Sequence, residues 1–178
     1  MATQKTIFVT EVGKPVTLTT RPIPMPKEGE VLIKVTASQS MFLISSSPSH
    51  RHTPNSNINS KPNHLSVLPH DTYGRDKGLF FKAYLPYGLG TNIAGIVTKL
   101  GSGVTKYQIG QHIFGEGSPV APTPDSTGLQ EYATLLVSDS ALVPAGFSDD
   151  QVCTLPTNAV TAFTALFNKD NFAFPYPL

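Results

Sequence analysis

Several things are scarce in this sequence. Of its 178 residues one is cysteine, Cys153, and none is tryptophan. A single thiol excludes an intramolecular disulfide and any multi-cysteine zinc site, and it agrees with a reducing compartment. Charge is sparse and nearly cancels, 13 Lys and Arg against 12 Asp and Glu, for a formal net of +1. Such a balance offers no footprint for nucleic acid or an anionic membrane surface. Long apolar runs are missing too. None approaches the roughly 20 residues of a membrane-spanning helix, and the N-terminal MATQKTIFVTEVGK lacks the apolar core of a signal peptide. The expectation is a soluble, cytoplasmic protein with neither a nucleic-acid nor a membrane partner.

Helical periodicity is equally scarce before the last thirty residues or so. What is present is β-patterning. "TIFVTEV" and "VTLTTRP" are alternating, β-branched runs joined by a turn at Gly13-Lys14-Pro15. A second turn is expected over Lys27 to Gly29. "EVLIKVTAS" then sets Val31, Ile33 and Val35 against Leu32, Lys34 and Thr36, which predicts a strand covered on both faces at one end. Further strand-like runs are "TNIAGIVTKL", "VTKYQIGQHIFGEG", "LQEYATLLVS" and "ALVPAG". Helices are expected only at "SDDQVCTL", with Ser148 as N-cap, and at "PTNAVTAFTALF", capped by Thr157 or Asn158. Many short strands without βαβ alternation predict a mainly β fold, a small barrel or rolled sheet.

The stretch "YGLGTNIAGIVTKLGSG" (Tyr87 to Gly103) places Gly88, Gly90 and Ala94 at a spacing close to that of a dinucleotide-binding loop. Such a loop needs a helix after it, whose free N–H groups hold the pyrophosphate. Here Ile93, Ile96, Val97 and Thr98 follow, and then a Gly-Ser-Gly turn. The glycines are therefore read as positions for tight turns and close backbone approach at a barrel bend.

Ser40 to Ser66, "SMFLISSSPSHRHTPNSNINSKPNHLS", breaks the pattern. It is rich in Ser, Asn, Pro and His and lacks the apolar surface that offsets ordering entropy. A disordered insertion is expected. Ser40-Met41-Phe42 can be encoded by a sequence containing a splice donor signal, so a retained intron translated in frame is the suggested origin. His50, His52, His64 and His70 raise a metal reading, since imidazole suits zinc and copper. A low-complexity segment provides no supporting shell for such a site, and no metal is expected.

Taken together, "GEVLIKVTAS", "HDTYGRDKGLF", "GTNIAGIVTKLGSGVTKYQIGQHIFG", "LQEYATL" and "LPTNAVTAFTAL" resemble the N-terminal, GroES-like half of the medium-chain dehydrogenase/reductase superfamily. The resemblance implies a mainly β, partly open barrel over residues 1–39 and 67–155. Residues 156–178 would begin the helix that links it to a nucleotide-binding domain. Zinc-dependent members carry a Cys shortly before the Asp matching Asp71, and Gly-His-Glu where this chain has Gly90-Thr91-Asn92. The sequence is therefore similar to the zinc-independent branch, quinone oxidoreductases and enoyl reductases that use NADPH.

In that branch the cofactor delivers hydride to a quinone or a conjugated carbonyl, and a nearby hydroxyl or imidazole can supply a proton. The resemblance nominates Tyr73 and His70 for this, Asn92 to bond substrate or hold the pocket, and Thr161 to approach the nicotinamide. Structural readings stand beside each: Tyr73 as an amphipathic surface residue, His70 as a packing residue, Thr161 as a helix residue bonding back one turn. The nucleotide-binding domain that follows in relatives is not found before Leu178. The expectation is a truncated catalytic half, inactive alone, binding NADPH poorly, acting on a small-molecule substrate and forming a homo-oligomer in a full-length form. Its late helix would expose a sticky apolar face. The alternative is a non-catalytic GroES-like module with a binding role or none.

Overall fold

Alternation turns into strands in the order the sequence sets out. The computed structural model describes residues 2–39, 64–66, 69–79, 82–117 and 123–176. In chain order its elements are β1 (Thr3–Val9), β2 (Thr17–Pro22), β3 (Glu30–Gln39), β4 (His64–Ser66), α1 (Pro69–Lys77), β5 (Tyr87–Gly88) and β6 (Asn92–Leu100). They continue with β7 (His112–Glu116), β8 (Tyr132–Leu136), β9 (Ser140–Leu142), α2 (Asp149–Val152) and α3 (Leu155–Phe167).

Two sheets carry the fold. One is three-stranded, in the order β2-β1-β5; in the other β4, β3, β6, β7 and β9 follow one another and β8 also pairs with β3. β3 is the centre. It is antiparallel to β6 along one edge, and its other edge is shared by β8 at the start and β4 at the end. Residues flanked on both edges need cover on both faces, and Val31, Leu32 and Ile33 are all buried. Val31 and Ile33 pack with Ile93, Val97 and Ile113 in the main core.

The segment 129–131 stitches the sheets together. Ile7 donates its amide to the Leu129 carbonyl, the Glu131 amide donates to Lys5, and the Val35 amide donates to Glu131. Beneath it, Gln4 Nε2 donates to Gln130 Oε1, and Gln130 Nε2 is within hydrogen-bond distance of the Pro124, Asp125 and Thr127 carbonyls. The result is a mainly β, curled half-barrel with few short helices, as the patterning predicts.

Two expectations are corrected. First, α1 has no counterpart in the predicted elements. Its nine residues, PHDTYGRDK, are polar and carry an internal glycine, so no apolar stripe announces them. Only the end signals fit, with Pro69 first, Asp71 in the first turn, and Arg75 and Lys77 in the last. Second, α3 begins before its expected caps: its N-cap is Thr154, and Pro156 lies in the first turn, where a missing N–H costs nothing. At the end of the stretch read as an insertion, His64–Ser66 pair in parallel with Ala37–Gln39. The rest of that stretch, 40–63, lies outside the described residues, and with it the retained-intron and histidine-metal readings.

The cap of α2 is as expected. The Ser148 hydroxyl accepts from the Gln151 amide, and the Gln151 side chain accepts from the Ser148 amide.

Candidate functional site

The glycine run leads to the site. Gly88 and Gly90 lie against the 127–128 segment and Ser38, so a side chain at Gly88 would overlap Thr127. Gly90 has a φ of +82°, a left-handed conformation that glycine adopts freely. The chain then enters strand β6 at Asn92, not a helix. No described residue in this run presents a helix N-terminus to a phosphate, and the barrel-bend reading holds.

Thr91 and Asn92 are both buried, Asn92 with no exposed surface. Ser38 Oγ donates to the Asn92 carbonyl at 3.3 Å. Asn92 is paired in register with Glu116 at the end of β7. Across them lies the first turn of α3. Thr157 Oγ1 is 2.7 Å from Asn92 Oδ1 and 3.2 Å from Glu116 Oε1. One turn on, the Thr161 hydroxyl donates to the Thr157 carbonyl at 2.6 Å. Thr91 Oγ1 and Asn92 Nδ2 are buried without a hydrogen-bond partner among the described residues. Glu116 also borders a groove between β7, β9 and α3, walled by Phe114, Ala141, Pro156 and Val160.

α1 meets the same region by another route. Asp71 is fully buried, and the Tyr87 hydroxyl donates to its Oδ1 at 3.0 Å. Burial pushes the Tyr87 phenol well above its usual range, and the Asp71 charge and hydrogen bond add to the shift. Tyr87 opens the run that ends at Asn92, so this bond ties α1 to the site's backbone.

The sequence-nominated residues separate into two groups. Asn92 and Thr161 are brought together through Thr157. Tyr73 lies on α1 and is 57% exposed, and no contact among the described residues joins it to Asn92. His70 is in the first turn of α1, with its side chain outside what is described. Glu116 and Thr157 escape sequence reasoning. Their contact spans 41 residues of chain, and no local spacing encodes it. Among the described residues no three His, Cys, Asp or Glu side chains converge on a point that would hold a metal ion.

Comparison with known proteins adds four findings. Residues 60–158 match the alcohol dehydrogenase GroES-like domain family. The chain is 30% identical over 118 residues to dehydrogenase pigH of Monascus ruber, covering 64% of this chain and 32% of that protein. It is 32% identical over 103 residues to lovC of Aspergillus terreus, the enoyl reductase component of lovastatin nonaketide synthase, covering 57% and 27%. In three dimensions it resembles the quinone oxidoreductase of Coxiella burnetii, with a TM-score of 0.69 and 25% identity over 95% of this chain and 46% of that one. The chain thus spans about a third or less of the length of the curated relatives it matches.

Proposed function

Because the chain belongs to the alcohol dehydrogenase GroES-like domain family, in the quinone oxidoreductase and enoyl reductase-like branch of the medium-chain dehydrogenase/reductase superfamily, we propose that it forms the substrate side of a zinc-independent, NADPH-dependent oxidoreductase. Its substrates would be quinones or conjugated enones and enoyl groups. The observation that carries this reading is the part-buried polar cluster of Glu116 and Thr157 over the fully buried Asn92, at the meeting of β6, β7 and α3. Polar side chains held on rigid elements keep their orientation without reorganising.

NADPH, when bound, supplies the hydride. The residues here fit its nicotinamide end alone. Thr161 is exposed on α3, and with its proton on the Thr157 carbonyl its oxygen keeps a lone pair for a carboxamide N–H. The glycine run does not fit the pyrophosphate, since a strand follows it. Tyr73 is the proton source this reading favours, because its exposed phenol needs no desolvation to reach a substrate oxygen. Asn92 holds the cluster from beneath.

A second reading, a non-catalytic GroES-like module that acts by binding, is favoured by the separation of Tyr73 from Asn92. NADPH fluorescence and thermal-shift titration of the purified chain test the first. With only the nicotinamide end accommodated, we expect no saturating fluorescence change and no rise in Tm at millimolar NADPH. A tight, saturable response would overturn the assignment of this chain to the substrate side alone.

A further inference from the structure

Thr157 Oγ1 has one proton and two oxygen neighbours, Asn92 Oδ1 at 2.7 Å and Glu116 Oε1 at 3.2 Å. It can donate to only one of them. With the amide oxygen toward Thr157, the other oxygen contact is lone pair against lone pair. Asn92 Nδ2, fully buried, then has no acceptor among the described residues. The two ends of an asparagine amide have the same shape, so its direction is decided by the hydrogen bonds it makes. Half a turn of the amide changes the count. Nδ2 then donates to Thr157 Oγ1, and the hydroxyl donates to the Glu116 carboxylate. Two bonds replace one, and the second is charge-assisted.

We infer that Asn92, Thr157 and Glu116 form a directional chain, Asn92 Nδ2–H to Thr157 Oγ1–H to Glu116 Oε1, that makes Thr157 the positioning residue fixing the first turn of α3 on the barrel. The chain joins the buried start of β6, the end of β7 and the third residue of α3. Its consequence lies one turn further along. The carbonyl of Thr157 holds the hydroxyl of Thr161, so the anchored turn sets where that hydroxyl stands. The link to cofactor placement rests on the function proposed above. The direction of the chain does not.

The test uses heteronuclear NMR of the full chain without cofactor. In the wild type, the Asn92 side-chain Nδ2 protons should show strong nuclear Overhauser contacts to the Thr157 Hβ and methyl groups, and one of the pair should exchange slowly. An Asn92 amide whose nitrogen protons show no contact to Thr157 overturns the inference, and this arm needs no variant to fold. Thr157→Val should then move the hydrogen-bonded Nδ2 proton upfield, toward the shift of a free amide, and remove its slow exchange. It should also raise exchange of the Thr161 amide about five- to tenfold, the scale of one lost hydrogen bond. Thr157→Ser, which keeps the hydroxyl, should restore both. Equal behaviour of the Val and Ser variants would contradict a positioning role for the hydroxyl. These readouts are taken without cofactor, so a tight NADPH response, which would overturn the functional reading, leaves them unchanged, and the two proposals fail separately.

Discussion

Tyr87 donates its hydroxyl to a carboxylate with no exposure to water. The arrangement works only while the phenol keeps its proton. Burial holds its folded pKa above the unfolded value, and the Asp71 charge reinforces this. The sign follows: the contribution is complete below about pH 10, the ordinary tyrosine value, and is lost as pH rises beyond it. We expect Tyr87→Phe to cost about 1–3 kcal/mol at neutral pH, because it removes a donor to a buried carboxylate. Above about pH 10 the gap between wild type and variant should narrow by about 1.4 kcal/mol per pH unit. Urea unfolding of both proteins across that range checks it. A gap that is constant with pH contradicts the assignment of the shift to Tyr87.

At the scale of elements, the approach to the site depends on caps and glycines. α2 is a four-residue turn that places α3, and the reciprocal bonds of Ser148 and Gln151 hold its start. Ser148→Ala should destabilise the chain by about 1 kcal/mol, within the usual range for an N-cap. Denaturant unfolding reads this, and an unchanged midpoint would show that packing of Val152 and Cys153 alone fixes the turn. This cap was legible from Ser148 and the acids after it. So were most strands, because Val31, Ile33 and Val35 face the core at a period of two. α1 was not legible, since it makes its bonds through Asp71 and backbone groups and not through an apolar stripe. The Gly13 amide, for example, donates to the Arg75 carbonyl from the β1–β2 turn. At the site, Asn92 could be nominated from its place in the glycine run. Glu116 and Thr157 could not, because strand register and the docking of α3 bring them to it.

Over the whole molecule, the half-barrel presents one face on which the site, the groove beside it and α3 meet. α3 has no buried residue, and Val160, Phe163 and Leu166 are exposed along it. The chain after it turns back, with the Phe174 amide donating to the Leu166 carbonyl and Tyr176 stacking on Phe167 at 5.4 Å. Among the described residues no helix is long and apolar enough to cross a membrane. The family's barrel thus places Thr161 and the Asn92 cluster together, while Tyr73 stands on a separate helix. The substrate-side reading requires that one ligand sense both.

Heteronuclear NMR titration of the full chain with phenanthrenequinone, and in parallel with a crotonyl thioester, tests that requirement most directly. The expected result is saturable shift changes at Tyr73 and at the amides of Thr91, Asn92 and Thr157, with the β1–β2 hairpin unmoved. Shift changes confined to surfaces away from these residues, or none at the solubility limit of either ligand, would contradict it.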